Sequence, residues 1–296
     1  MKLKLPCPTR TDVGLAPLTT FKMGGKVPLL AEPRNREEFV AVIRSLREEQ
    51  LTFRILGGGA NVLVDDRGLD DVVVLTNGIT FMLREGEDTR TLRLGAGLSI
   101  PQFVQAVRQM GRTGVECLVG IPGSIGGATV MNAGGRHGQF SDIARRVSIL
   151  TPESEEQEHE VTPETFGYRR SIFGGEVIVL ETVVELEKGD RDRSDELIRQ
   201  YLKEKSLAQP LTERSAGCVF KNPPGDSAGR ILDRAGAKGM SRGGAAVSEK
   251  HANFLVNRGG ATLADVRSLI EEMQQVALEK CGIELQTEVL IWDRER

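Results

Sequence analysis

Val119-Gly120-Ile121-Pro122-Gly123-Ser124-Ile125-Gly126-Gly127-Ala128-Thr129-Val130-Met131-Asn132-Ala133-Gly134-Gly135 is the stretch on which the reading of this chain turns. It is no long helix, because Pro122 and the glycines break one. It is too glycine-rich for an ordinary core strand. Ile121, Ile125, Val130 and Met131 make it too apolar for a solvated linker. Glycine lets another body approach the backbone and leaves its N–H groups unshielded. A diphosphate asks for such a surface, with several N–H donors converging on anionic oxygens. A buried, crowded turn is the plain alternative. The length of the cluster, the Pro and Ser inside it, and the upstream loop Gly57-Gly58-Gly59 favour a cofactor cradle.

Working outward, the triple glycine follows the strand-like Thr52-Phe53-Arg54-Ile55-Leu56 and leads into another extended segment, Val62-Leu63-Val64. A dinucleotide fingerprint needs GxGxxG between a strand and the helix it opens. No helix pattern follows here, so a Rossmann unit is disfavoured. Around this loop the first part of the chain reads as a small α/β unit. Its helix starts at Asn35 as cap, with Glu38 at the capping-box position and Phe39, Val42, Ile43 and Leu46 at helical spacing. Val72-Val73-Val74-Leu75 is a strand, and residues 81–95 read as a strand pair around the turn Glu85-Gly86-Glu87-Asp88. A second helix is capped by Ser99, has Pro101 in its first turn and Gln102 completing the box, and stops at Gly111.

Beyond the organising stretch come strands at Val147-Ser148-Ile149-Leu150 and Val177-Ile178-Val179-Leu180. The acidic Glu153 to Glu160 between them reads as a solvated hairpin. Lys188-Gly189-Asp190-Arg191-Asp192-Arg193 reads as a linker, followed by a helix capped by Ser194. Ile231, Leu232 and Ala235 suggest a short helix ended by Gly236. The last long helix starts at Thr262-Leu263-Ala264-Asp265 and ends at Gly282, and Ile283 to Ile291 is a terminal strand.

The chain has 296 residues, 39% of them hydrophobic and 27% charged, enough for two or three domains and a sizeable core. A net charge of −3 offers no basic field for nucleic acid and no strong acidic field for a basic partner. Met1-Lys2-Leu3-Lys4-Leu5-Pro6 carries positive charge but no apolar core follows, so it does not read as a signal peptide. No apolar run approaches bilayer length, so membrane insertion is not expected. Cys7, Cys117, Cys218 and Cys281 form no CxxC pair and read as reduced thiols of a cytoplasmic protein. His137, His159 and His251 have no metal-ligand spacing, and no metal is expected.

Taken together these segments closely resemble the UDP-N-acetylenolpyruvoylglucosamine reductases. The resemblance runs almost end to end. It rests on Thr20-Phe21-Lys22-Met23-Gly24-Gly25, Ile55-Leu56-Gly57-Gly58-Gly59-Ala60-Asn61, Val119 through Gly127, and Met131-Asn132-Ala133-Gly134. It continues through Tyr168-Arg169-Arg170-Ser171, Gln209-Pro210-Leu211, Ser215-Ala216-Gly217-Cys218-Val219-Phe220-Lys221-Asn222-Pro223, Val247-Ser248-Glu249-Lys250-His251-Ala252-Asn253-Phe254 and Glu288-Val289. No insertion separates Asn222 from Val247, which resembles the shorter type of the family, lacking the additional tyrosine loop.

The resemblance implies an α+β fold: a two-part FAD-binding region of the vanillyl-alcohol-oxidase (PCMH-like) type and a C-terminal α/β substrate-binding domain. The expected division is 1–82, 83–190 and 191–296. Both glycine loops would hold FAD, through Gly57, Gly58, Gly59, Ala60 and Asn61 and through Gly120, Ile121, Pro122, Gly123, Ser124, Gly126, Gly127 and Ala128. The implied reaction reduces the enolpyruvyl group of UDP-N-acetylglucosamine enolpyruvate to UDP-N-acetylmuramate for peptidoglycan, with NADPH as hydride donor. Hydride would reach C3 and a proton C2.

Arg169 matches the family's catalytic arginine, and a planar guanidinium suits a carboxylate. Read without the resemblance, it is a surface charge. Cys218 stands where the family usually has serine as the acid for C2. A free thiol, with pKa ~8.5, yields its proton far more readily than an alcohol. The plain alternative is a small buried thiol. Glu288 matches the family's late glutamate, and beside a substrate carboxylate its pKa would be raised. Asn222 matches a substrate-contacting asparagine. Tyr168, Lys221, Arg214 and His251 are further candidates for the UDP-sugar or NADPH, or else solvated residues. Arg136-His137 departs from the Ala-Tyr that many members carry. A flavin oxidase of the same fold, acting on another sugar or alcohol, is the alternative enzyme. It should lack the Cys218–Asn222 and Val247–Phe254 motifs. A non-catalytic nucleotide-binding protein that kept the glycine loops is the third reading.

Overall fold

The computed structural model describes residues 4–86 and 90–295. Glu87 and Asp88 of the expected turn, and Met1, Lys2 and Leu3 of the amino terminus, lie outside them. The chain forms two compact units. The first takes residues up to Thr11, Leu29–Gly58 and Asp71–Lys203, and the second Asp12–Pro28, Gly59–Asp70 and Glu204 onward.

The first unit carries two sheets. Strands Lys26–Ala31 and Phe53–Leu56 lie either side of Val72–Leu75, both parallel to it, with Thr9–Gly14 at the outer edge. Helix α1 (Arg36–Glu48) connects the first two of these and buries Phe39, Val42, Ile43 and Leu46. Asn35 caps it, Oδ1 accepting the Glu38 N–H at 2.8 Å. The Glu38 carboxylate turns instead to the Arg34 N–H and guanidinium. The second sheet has five antiparallel strands in the order Glu156–Glu160, Ala144–Leu150, Ile178–Glu185, Thr91–Gly95, Met82–Arg84. The acidic strand Glu156–Glu160 is the expected hairpin partner, and its carboxylates pair with Arg36, Arg93 and Arg146. Helix α2 (Ile100–Gln109) is capped by Ser99, whose hydroxyl accepts the Gln102 N–H and donates to the Gln102 side chain.

The glycine stretch forms no long helix, as expected, but Ile125–Met131 forms a short one, α3, with Ser124 as its cap. A side chain at Gly126 would stand 3.0 Å from Ala96 Cβ, so glycine serves close packing there. The expected linker is ordered: Glu187–Lys188 pairs with Arg112–Thr113, and α4 (Arg191–Ala208) begins three residues before Ser194. Asp190 starts that helix by accepting the Asp192 and Arg193 N–H groups. Ser194 is buried within it and donates to Glu116 at 2.5 Å.

In the second unit, Ser215–Cys218, Phe254–Asn257, Ala245–Val247 and Ser241–Arg242 form an antiparallel sheet. Its core joins α5 (Ala228–Arg234) and α6 (Leu263–Cys281) to Phe21, Met23 and Leu63 from far upstream. Thr262 and Asp265 make a reciprocal capping box at the start of α6, and Gly282 ends it at φ +69°. The expected terminal strand is shorter: Leu290–Trp292 pairs in parallel with Val62–Val64, and upstream Thr287 makes an isolated antiparallel bridge to Phe220. No described helix is long and apolar enough to cross a membrane.

Candidate functional site

In the first unit the two glycine loops meet backbone to backbone. A Cβ on Gly58 would lie 2.5 Å from Gly123 Cα, and one on Gly57 would lie 2.5 Å from Ser124 Oγ. At Gly58 a side chain is excluded because main chain occupies its place, and at Gly57 it would meet the Ser124 hydroxyl. Among the described residues, the N–H groups of Gly57, Gly58, Gly123 and Ser124 have no protein acceptor. Thr76 Oγ1 is buried close by, 3.8 Å from where a Gly57 Cβ would stand, and has no hydrogen-bond partner. Buried, the Thr76 hydroxyl is costly without a partner, while the Gly57, Gly58 and Gly123 amides lie where solvent or a ligand reaches them. An anionic ligand rich in oxygens would satisfy them, and the diphosphate of FAD fits that requirement.

The other cofactor candidates divide differently. Ile121, Gly126, Gly127 and Ala128 already donate their amides to Leu118, Ala96, Ser124 Oγ and Ser124 O. Pro122 has no amide to offer, and Gly120 is exposed at φ +73°. Gly59, Ala60 and Asn61 belong to the second unit. Gly59 adopts φ +61°, and a Cβ on it would meet Leu18 O at 2.2 Å.

Arg169 is also in the first unit, at the turn of the hairpin Phe166–Gly167 and Arg170–Ser171. It adopts φ +53°, partly buried. Its guanidinium donates to the Gly134 carbonyl at 2.7 Å and the Asn132 carbonyl at 3.3 Å, and stands 5.4 Å from the centre of the Tyr168 ring. The far side of the glycine stretch therefore aims the cation, while Tyr168 itself is exposed. His137, at the departure noted above, stacks on Tyr201 with ring centres 3.8 Å apart.

Within the second unit, Cys218 and Glu288 flank one backbone pairing. The Val219 carbonyl accepts the Glu288 N–H at 2.7 Å and the Val289 N–H at 3.4 Å. Both side chains are partly exposed. Asn253 holds the neighbouring peptide through Phe220 N–H and C=O, at 2.9 and 2.8 Å. Asn61 donates to the Glu288 carbonyl at 3.3 Å and accepts from the Leu290 N–H at 3.0 Å. Asn222 is exposed and accepts the Ala228 N–H at 3.0 Å, entering α5. Lys221 is held through its backbone to Gln286, and Arg214 is an exposed residue whose carbonyl accepts from Asn257. His251 packs on Gly229 and accepts the Asn253 N–H at 3.1 Å. Its imidazole is held below the usual histidine range, chiefly by burial and then by the Lys238 charge.

Nothing in the sequence pattern marks Thr76, Asn132 or Asn253 as site residues. Thr76 directly follows a strand end, and Asn132 and Asn253 lie inside family motifs, but their roles come from partners remote in sequence. Among the described residues there is no cluster of His, Cys, Asp and Glu able to hold a metal.

A glycine-lined cradle of free amides, on an α+β scaffold without a Rossmann unit, marks a flavoprotein. Residues 27–159 match the FAD binding domain family, and residues 209–292 match the family described as UDP-N-acetylenolpyruvoylglucosamine reductase, C-terminal domain. The UDP-N-acetylenolpyruvoylglucosamine reductase of Heliobacterium modesticaldum is 40% identical over 92% of this chain and 87% of that protein. That of Moorella thermoacetica is 39% identical over 95% and 92%. The crystal structure of the Thermus caldophilus enzyme superimposes with a TM-score of 0.83 at 32% identity, covering 97% of this chain and all of that one. The chain belongs to the UDP-N-acetylenolpyruvoylglucosamine reductase family of FAD-dependent oxidoreductases. As expected, an FAD-binding domain is followed by the family's C-terminal domain, on a mixed scaffold of helices and strands.

Proposed function

We propose that the protein reduces UDP-N-acetylglucosamine enolpyruvate to UDP-N-acetylmuramate with NADPH, in the cytoplasm, for peptidoglycan synthesis. FAD, when bound, would supply the hydride-transfer chemistry between NADPH and C3 of the enolpyruvyl group. Gly57, Gly58, Gly123, Ser124 and Thr76 hold its diphosphate. Charge then develops at C2 and on the adjoining carboxylate, and Arg169 neutralises it. The Cys218 thiol gives its proton to C2 and becomes a thiolate, which is reprotonated from solvent. Glu288 stands at the carboxylate side, protonated or hydrogen-bonded to a donor. Asn222, Lys221, Arg214, Tyr168 and His251 are proposed contacts of the UDP-sugar or NADPH. The functional division proposed is 1–82 and 83–190 for FAD and 191–296 for substrate.

The observation that supports this reading most is the Glu288 N–H donating to the carbonyl of Val219, the residue that follows Cys218. It brings the backbones of the two proposed proton-handling residues to within one residue of a shared hydrogen bond. The test is NADPH oxidation by FAD-loaded protein with and without UDP-N-acetylglucosamine enolpyruvate. Turnover should depend on the substrate and yield UDP-N-acetylmuramate. Substrate-independent oxidation with no such product would sink the proposal.

A further inference from the structure

Asn132 ends α3 and is fully buried. It adopts the left-handed conformation at φ 45°. A helix C-terminus asks for nothing more than that conformation, which Asn tolerates. Asn132 does more. Its Nδ2 donates to the Gly167 carbonyl at 3.1 Å, and its Oδ1 accepts the Ser141 N–H at 3.0 Å. Its own carbonyl accepts from the Arg169 guanidinium.

Gly167 is the last strand residue before the Tyr168-Arg169 turn, so one asparagine holds both the entry to that turn and the arginine side chain within it. The side chain fixes the Gly167–Tyr168 peptide, which leads into Arg169, and the backbone carbonyl fixes where the guanidinium lands. Arg169 is itself left-handed, a conformation that non-glycine residues hold at a cost and only when surroundings impose it. Ser171 Oγ, donating to the Val130 carbonyl at 2.8 Å, ties the other strand of the hairpin to the same end of α3.

We infer that Asn132 is a positioning residue for Arg169, locking the arginine onto the end of the glycine stretch so that it meets the substrate carboxylate in one orientation. The inference rests on the proposed role of Arg169. It predicts a defect in substrate reduction that leaves cofactor binding alone, because neither side-chain bond of Asn132 touches Gly57, Gly58, Gly123 or Ser124.

The variants are Asn132→Gly, which keeps the left-handed backbone and removes both side-chain bonds, and Asn132→Asp, which keeps the acceptor for Ser141 and removes the donor to Gly167. Each is measured in the FAD-loaded enzyme for FAD content, for NADPH-driven flavin reduction in single turnover, and for kcat/KM toward the enolpyruvyl substrate. Asn132→Gly should lower kcat/KM about tenfold to a hundredfold, with the first two readouts unchanged. Combined with Arg169→Lys, it should add almost nothing to the loss from Arg169→Lys alone. If Asn132→Gly misfolds, Asn132→Asp carries the same cycle. Losses that multiply in the double variant, or that appear equally in flavin content, would overturn the inference. If Arg169→Lys leaves kcat/KM intact, the role of Arg169 itself fails, and the positioning role with it.

Discussion

Cys218 is the residue at which this chain tests its own chemistry. It stands on the strand Ser215–Cys218, directly before the peptide that pairs with Glu288. Cys218→Ala should leave flavin reduction by NADPH within about twofold while lowering product formation by about a hundredfold or more, the scale of a lost general acid. Stopped-flow absorbance of the two half-reactions checks this, and equal losses in both would make the thiol structural. His251 allows a test of electrostatics. Burial and the Lys238 charge hold its folded pKa below the ordinary value. As pH falls, the unfolded chain takes up the proton first, near pH 6.5. Stability therefore declines from about pH 6.5 until the lowered folded value is passed, below which the loss is complete. His251→Gln should flatten the fall of the urea midpoint between pH 7 and pH 5. Equal slopes in variant and parent would contradict the assignment.

At the scale of elements, the contact of the two glycine loops is the feature to perturb. Gly58→Ala drives a methyl group into the Gly123 backbone, which has no flexible end to move aside. FAD affinity should fall at least about tenfold, ~1.4 kcal/mol, measured by flavin retained on gel filtration. Gly14→Ala is the control, since nothing lies within 4 Å of its added methyl. Retention of full affinity by Gly58→Ala would remove the loop from the cradle. Thr262→Ala deletes the capping box of α6 and should cost about 1 kcal/mol in urea unfolding. The caps at Asn35, Ser99 and Thr262 were legible in the sequence because a cap is made within four residues. Ser194 has the same local pattern but is claimed by Glu116, a partner the sequence does not point to. The short α3 was hidden because Gly126 and Gly127 are poor helix formers. The helix holds since Ala96 and Leu98 accept the first amides and Ser124 caps it. For the site, the glycine loops and the residues carried by the family resemblance were legible. Thr76 and Asn132 were not, because burial and tertiary partners define them.

At the scale of the molecule, the second unit is assembled from three separated stretches. Phe21 and Met23 are fully or almost fully buried, with Leu63, against Val219, Phe220, Leu255 and Val266. A fragment of residues 204–296 lacks those three side chains and the strand Val62–Val64. It should therefore show no cooperative unfolding transition by circular dichroism. A sharp transition near that of the whole chain would show that the upstream stretches are dispensable.

The same interleaving has a consequence during synthesis. Phe21, Met23 and Leu63 leave the ribosome long before Ala216 and the residues after it exist. At ordinary elongation rates the wait is about 10–30 s. Throughout that time a growing chain displays apolar side chains whose partners are still encoded downstream. The residues of the first unit end at Lys203, so all of them are made before those partners appear. The nascent chain thus has a defined window of vulnerability, one that a slow patch of codons before Glu204 would lengthen and a holding chaperone would cover.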